Sequence, residues 1–319
     1  MGHPPSGFRQ DRNGRGLWPA RIRAWPIGVG VVIKWNVDPH RKADVTRTRI
    51  LLLCITLLLA GCARESAPPR DVSVSVLAAE SAAVPGGAVT LGWRFDLAPG
   101  WHLYTNGRSD TGLPPAVELS LPEGWTADAP LWPAGRRLES AGGILDHVYE
   151  DRLLLLQTLH APLGARPGET VEIGARLEWL ACREGCVPGD TLLTLALPVA
   201  AAAEPTRHAE ELDRARGELP RAARAGELSW TWEGNTLVLR SPGASHLEYH
   251  PSADAGHLSD PRHDAVADGA VLNLRFRPRD GRVGPAHGVL LARAGETIRR
   301  LELTIPAAPA ATQPQGDPR

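Results

Sequence analysis

Residues 171–199 read VEIGARLEWLACREGCVPGDTLLTLALPV. Val171, Ile173, Ala175, Leu177 and Trp179 fall on every second position, the period of a strand with one face on a core. Thr191–Val199 is a second apolar segment of strand length, and Pro188-Gly189-Asp190 before it has the composition of a turn. The same period recurs outward from here. Val72–Leu77 alternates, and Leu91, Trp93, Phe95 and Leu97 share one face of 89–97. Leu153–Leu159 is a further strand. Pro85-Gly86-Gly87, Pro99-Gly100, Pro122-Glu123-Gly124 and Arg166-Pro167-Gly168 punctuate these segments. Short strands at this spacing predict an all-β fold, an immunoglobulin-type β-sandwich. The cysteine and tryptophan placement of antibody domains is missing, so that subclass is excluded.

The chain has 319 residues and a net charge of -1. The charge is divided unevenly. Residues 1–61 hold 10 Lys and Arg against 3 Asp and Glu, while residues 62–319 hold 25 against 33. The larger part is acidic and has no basic surface for phosphates, which argues against a nucleic-acid partner. There is no P-loop, dinucleotide fingerprint or nucleophile–His–acid set.

Residues 47–62 read RTRILLLCITLLLAGC. Arg47 and Arg49 precede an apolar run, Ile50–Ala60, which is too short for a membrane-spanning helix but suits a signal peptide. The run ends in Leu59-Ala60-Gly61-Cys62, which resembles the lipobox of bacterial lipoproteins; the resemblance implies lipidation of Cys62. Residues 1–46 do not suit the front of such a signal and are expected to be an upstream extension, with translation starting near Val45. The expected layout is then a signal peptide over 47–61, a tether over 62–70, a first sandwich over 71–200, a helical linker over 201–227, a second sandwich over 228–306 and a disordered tail over 307–319.

Signal removal takes away Cys54 and lipidation consumes Cys62. The other two of the four cysteines, Cys182 and Cys186, are left in an exported protein, where disulfides persist. A ring of this size restrains the unfolded chain only weakly. Three readings stand side by side. A redox pair would have a thiolate favoured by Arg183 and opposed by Glu184. The pair can also be a structural bridge. A metal site would have only half of a tetrahedral thiolate shell.

Five short runs go further: Gly100-Trp101-His102-Leu103-Tyr104, Gly112-Leu113-Pro114-Pro115, Trp132-Pro133, Val148-Tyr149-Glu150-Asp151, and Trp179-Leu180-Ala181-Cys182 with Cys186-Val187-Pro188. In this order they resemble the N-terminal periplasmic domain of the DsbD thiol:disulfide interchange family, above all its ScsB-like branch. The resemblance covers about Asp71 to Val199. It implies an immunoglobulin-like sandwich whose cysteine pair exchanges electrons with periplasmic disulfides and needs no cofactor beyond that disulfide. It also implies that Cys186 faces the partner and Cys182 resolves. The three-residue spacer matches the ScsB-like branch, whereas the best-known members have five. The family's aromatic cap aligns with Glu139–Ile144, which has no aromatic, so the expectation is that Tyr149 or Ile144 shields the pair or that the pair is more open. His102, Tyr104, Tyr149 and Trp179 are candidate lining residues, with packing roles favoured for His102, Tyr104 and Trp179; Arg108 and Asp110 are expected to be solvated. The family's usual membrane domain and thioredoxin domain find no counterpart after Cys62, so the expectation is either that the electrons come from another protein, a membrane donor of DsbD/ScsB type, or that there is no reductive cycle.

Downstream, Thr206 is a candidate helix cap. Glu210–Arg214 is a candidate ion pair, and Ala209, Leu212, Ala215 and Leu219 form an apolar stripe, with the charges on a solvated face. Strands are expected at 228–232 and 236–240 around a Gly234-Asn235 hairpin, and at 271–276, 289–292 and 298–305. This second segment resembles the second sandwich of ScsB-like proteins through Tyr249-His250-Pro251 and Gly288-Val289-Leu290. His246, His250, His257 and His263 cluster in sequence, and copper favours imidazole, but a strand spreads i and i+4 side chains about 13 Å apart at ~3.3 Å per residue. No metal site is assigned. The expected protein is a thiol–disulfide exchanger, lipid-anchored on the periplasmic face of a bacterial membrane; Ala63 after the lipidated cysteine favours the outer membrane. The rival reading is a non-enzymatic binding scaffold with a structural bridge.

Overall fold

Ten strands build the first sandwich: β1 (Val72–Ala78), β2 (Ala88–Leu97), β3 (His102–Tyr104), β4 (Ala116–Ser120), β5 (Thr126–Ala127), β6 (Arg136–Ser140), β7 (Ile144–Glu150), β8 (Arg152–His160), β9 (Thr170–Cys182) and β10 (Cys186–Pro198). The computed structural model describes residues 71–308, which fall into one compact unit. The expected upstream extension, signal peptide and tether, with Cys54, Cys62 and residues 309–319, lie outside the described residues.

One sheet runs β1-β2-β8-β5. The other runs β10-β9-β3-β7-β6, with β4 also paired to β9. The alternating residues of the sequence form the core between them: Leu91, Trp93 and Phe95 from β2, Leu153, Leu155 and Leu159 from β8, and Ile173, Ala175 and Leu177 from β9. The buried Trp93 indole donates to Gln157 Oε1 at 2.8 Å, so its N–H is satisfied in the core.

The second sandwich follows a helix, α1 (Ala209–Gly217). Its strands are β11 (Arg221–Ala222), β12 (Ser229–Glu233), β13 (Thr236–Arg240), β14 (His246–Pro251), β15 (Val266–Asp268), β16 (Val271–Arg275), β17 (Ala286–Ala294) and β18 (Thr297–Ile305), with a one-turn helix α2 (Pro261–Asp264) after β14. They form sheets β11-β18-β17-β14-β15 and β12-β13-β16 around a core that includes Leu239, Tyr249, Leu274, Phe276, Leu290 and Leu301. Gly234 and Asn235 close the expected hairpin between β12 and β13, with Gly234 at φ 59°. The chain is thus all-β, two immunoglobulin-like sandwiches joined by a short helix.

The helix packs on the first sandwich with the stripe the sequence showed. Leu212 is buried against Leu77 and Leu156, with Ala209, Ala215 and Leu219 beside it. Gly92 makes room for it, because a Cβ there would collide with Leu212 and stand 3.0 Å from Leu154. Gly92→Val is therefore expected to lower stability by about 1–3 kcal/mol through overpacking, read as a lower urea midpoint at unchanged slope. Two details of the linker differ from expectation. Thr206 is not at the N-cap position, which is His208, but its hydroxyl accepts the His208 N–H at 3.0 Å ahead of the helix and donates to Ala78 O. The helix's ion pairs run through Glu211, which meets Arg152 at 3.4 Å and Arg94 at 3.7 Å, and not through Glu210–Arg214.

Pro188-Gly189-Asp190 is not a turn but part of β10, and the reversal is made by Arg183–Gly185. β10 is an edge strand, so the missing N–H of Pro188 need not leave an unpaired neighbour. Gly189 sits beneath Trp179, where a Cβ would stand 2.5 Å from the indole.

Candidate functional site

Strand register brings the site together. Cys186 pairs with Cys182 across β10 and β9, Cys182 with His102 across β9 and β3, and His102 with Glu150 across β3 and β7. Cross-strand partners share a face, so these four residues form a row across four strands. The face is the one turned away from the sandwich core, because their odd-numbered neighbours Ala181, Leu103 and Tyr149 belong to that core. Tyr104, two residues after His102, lies on the same face as the row.

The two cysteines are joined as a disulfide, with their Cα atoms 4.1 Å apart. Their surroundings differ. Cys182 is 3% exposed and packs with Tyr104 and Val148, flanked by Leu138 and Leu180. Cys186 is exposed. A partner can reach the second sulfur without moving the first from its apolar bed.

The Tyr104 hydroxyl lies 4.0 Å from Cys186 Sγ, 3.4 Å from His102 Nε2 and 3.2 Å from Thr111 Oγ1. Thr111 in turn donates its hydroxyl to Asp146 Oδ2 at 2.7 Å. A Cβ on Gly112 would run into the Tyr104 ring, so the glycine lets the segment lie flat over it. His102 is buried, and that burial lowers its pKa against the opposing pull of Glu150 and Asp146, which keeps the ring neutral at pH 7. Arg183 does not turn to solvent alone: its guanidinium lies 5.3 Å from the centre of the Trp101 ring.

Of the residues singled out in sequence, Cys182, Cys186, His102 and Tyr104 come together. Tyr149 and Trp179 do not join them. Tyr149 is buried in the core with its hydroxyl donated to Pro133 O at 2.7 Å, and Trp179 packs edge-on to Phe95. Tyr149 is therefore no shield: Tyr104, Val148, Leu138 and Leu180 cover Cys182 alone, and the pair is open at Cys186. Thr111, Asp146 and Val148 escaped the sequence reading because their placement depends on a sheet register that no local pattern encodes. Of Arg108 and Asp110, both expected in solvent, Asp110 is exposed and Arg108 is half-buried. Arg108 contacts the second sandwich, and Asp110 Oδ2 accepts the Leu145 N–H at 2.8 Å.

The four clustered histidines do not converge on one point, although His246 and His250 both reach the Glu248 carboxylate. His246 pairs with Asp268, His250 with Glu248 and His263 with Asp260. Among the described residues no group of three or more His, Cys, Asp or Glu side chains is placed to hold a metal ion, and no helix is long and apolar enough to cross a membrane.

The fold is similar to the N-terminal periplasmic domain of ScsB from Proteus mirabilis, at 16% identity and a TM-score of 0.50 over 76% of this chain and 97% of that one. Two weaker likenesses come from Neisseria meningitidis. One is the reduced DsbD N-terminal domain, at 16% identity and a TM-score of 0.28 over 45% of this chain and 96% of that one. The other is the complex between the DsbD and PilB N-terminal domains, at 17% identity and a TM-score of 0.25 over 41% of this chain and 87% of that one. No curated protein matches this chain in sequence. Residues 73–198, the first sandwich with both cysteines, match the family described as "Thiol:disulfide interchange protein DsbD, N-terminal".

Proposed function

We propose that the first sandwich is a thiol–disulfide exchange domain working through Cys182 and Cys186. The observation that carries this reading is the asymmetry of the pair, one sulfur exposed and the other buried in an apolar bed, within the segment that matches the DsbD N-terminal family. In the reducing direction the Cys186 thiolate attacks a partner disulfide. One S–S bond breaks, a mixed disulfide forms, and a partner thiolate leaves. Cys182 then attacks Cys186 Sγ, re-forms the internal bond and expels the second partner thiolate. Two electrons and two protons pass to the partner, and the same steps reversed reload the pair. The Tyr104 hydroxyl, 4.0 Å from Cys186 Sγ, turns its hydrogen from Thr111 Oγ1 to the thiolate that appears there when the internal bond opens.

The partners in this reading are periplasmic thiol and disulfide proteins, with a membrane electron donor of DsbD/ScsB type. Lipidation at Cys62 would hold the protein on the periplasmic face of a membrane, the outer one by the residue that follows. The second sandwich, without cysteine, would serve as scaffold.

Equilibration of the full chain with dithiol redox buffers tests the reading. A reduction potential in the range of periplasmic oxidoreductases, roughly -120 to -230 mV, is expected. A potential below about -300 mV with a bridge inert to excess dithiol would instead make Cys182–Cys186 a structural staple and end the proposal.

A further inference from the structure

The segment from residue 105 to residue 115 touches both the cysteine pair and the second sandwich. At its start Gly107 bridges to Ser252, and a Cβ on Gly107 would stand 2.8 Å from Pro251 O. The Arg108 N–H donates to Pro251 O at 2.8 Å. The Arg108 guanidinium then gathers three carbonyls of one turn, Gly256 O at 3.1 Å, Ala253 O at 3.3 Å and Ala255 O. Charge-assisted bonds to three carbonyls fix a planar cation closely. On the other side, the Arg108 carbonyl accepts from His147 Nδ1 at 2.9 Å.

Three residues on, the same segment reaches the site. Asp146 Oδ1 accepts the N–H groups of Asp110 at 2.8 Å and Thr111 at 3.0 Å, while Oδ2 takes the Thr111 hydroxyl. With its hydrogen given to Asp146, Thr111 Oγ1 is left as an acceptor for the Tyr104 hydroxyl. The segment is therefore pinned to the second sandwich at one end and holds the Tyr104 hydroxyl at the other.

We propose that the second sandwich clamps this strap, and that Arg108 is the positioning residue that sets where the Tyr104 hydroxyl stands relative to Cys186. The proposal rests on the exchange reading above and gives the cysteine-free sandwich a part in it. Arg137 supplies an internal control. It bonds the carbonyls of Pro261 and Arg262 from β6, so it joins the two sandwiches without touching the strap.

The test uses the reduced full chain and the pH dependence of iodoacetamide alkylation of the exposed Cys186, with circular dichroism and thermal scans confirming that each variant is folded. The other groups facing the site are His102, Tyr104, Asp146, Glu150 and its ion-pair partner Arg136 on the strands, and Arg183 and Glu184 in the turn; all are retained except where Tyr104 itself is replaced. Tyr104→Phe is expected to move the alkylation midpoint upward and to slow the reaction at pH 7 about threefold to tenfold, as the thiolate loses a donor. Arg108→Ala is expected to produce the same shift, Arg108→Lys to recover part of it, and Arg137→Ala to stay within about twofold of the parent. The double variant of Arg108 and Tyr104 is expected to be no slower than Tyr104→Phe alone, because both act through one hydroxyl. A parent-like profile for Arg108→Ala, an unshifted profile for Tyr104→Phe, or losses that multiply in the double variant would each overturn the clamp while leaving the exchange reading intact. A parent disulfide that resists reduction would overturn the exchange reading, and the clamp with it.

Discussion

Replacement of Cys186 by alanine is expected to abolish exchange with disulfide substrates, a loss of roughly three orders of magnitude or more, since no other described cysteine can make the first attack. Cys182→Ala is expected to behave differently. Cys186 remains exposed and able to attack, but the mixed disulfide has no resolving thiol and accumulates. Gel mobility under non-reducing conditions reads this directly: an adduct with Cys182→Ala and none with Cys186→Ala. The reverse pattern would exchange the two roles. Both variants are expected to stay folded. Three residues separate the cysteines, and in the chain-entropy picture so short a ring contributes about 2 kcal/mol, less than a long-range bridge. Loss of activity with stability in urea lowered by no more than about 2 kcal/mol would separate redox chemistry from stapling.

The second large effect is expected in acid, at the seam between the sandwiches. His147, on β7, is 2% exposed, and its ring centre lies 4.5 Å from that of His250 on β14. Its Nδ1–H donates to Arg108 O, and its Nε2 has no hydrogen-bond partner among the described residues. Burial, then the charges of His250 and Arg137, push its pKa down from 6.5 to about 4, against the Arg108 carbonyl and Glu248. A histidine whose folded pKa is depressed binds its proton first in the unfolded chain. Stability is therefore whole above about pH 6.5 and declines as pH falls toward 4, by about 3 kcal/mol in all. Glu248 adds to the same trend. Burial alone would raise its pKa, but the His250 hydrogen bond and charge, with Arg137 and His147, hold it below the usual range, so its contribution is also lost on acidification. Urea unfolding at pH 7.5 and pH 4.5 checks this, with His147→Gln as the comparison. The parent should lose stability across that interval and His147→Gln distinctly less. Equal slopes would remove His147 from the account.

The alternating strands β2 and β9 were plain in the sequence because one buried face imposes its period on the residues, and β8 was plain as an apolar run of strand length, Leu153–Leu159. The short strands β5 and β6 have no such signal. β7 is buried along most of its length, by the core on one face and by Cys182 and Tyr104 on the other, so its sequence does not alternate. Pro188-Gly189-Asp190 carries turn chemistry yet lies in a strand, since an edge strand tolerates a proline and the Trp179 ring requires a glycine.

The candidate site divides in the same way. The cysteines, their spacing and the motif that holds His102 and Tyr104 are local features, and the sequence alone was enough to find them and to predict a β-sandwich around them. Which of these residues meet was a matter of register. His102 stands beside Cys182 because β3 pairs with β9 at that one position. Tyr149 is adjacent in sequence to site residue Val148 but faces the opposite way, because successive residues of a strand alternate sides. The bed under Cys182, the Asp146–Thr111–Tyr104 chain and the hold of the second sandwich on Arg108 join residues up to 148 positions apart in the chain. Periodicity records what one strand must bury. It carries no record of which strand lies alongside, and that neighbour decided where the chemistry sits.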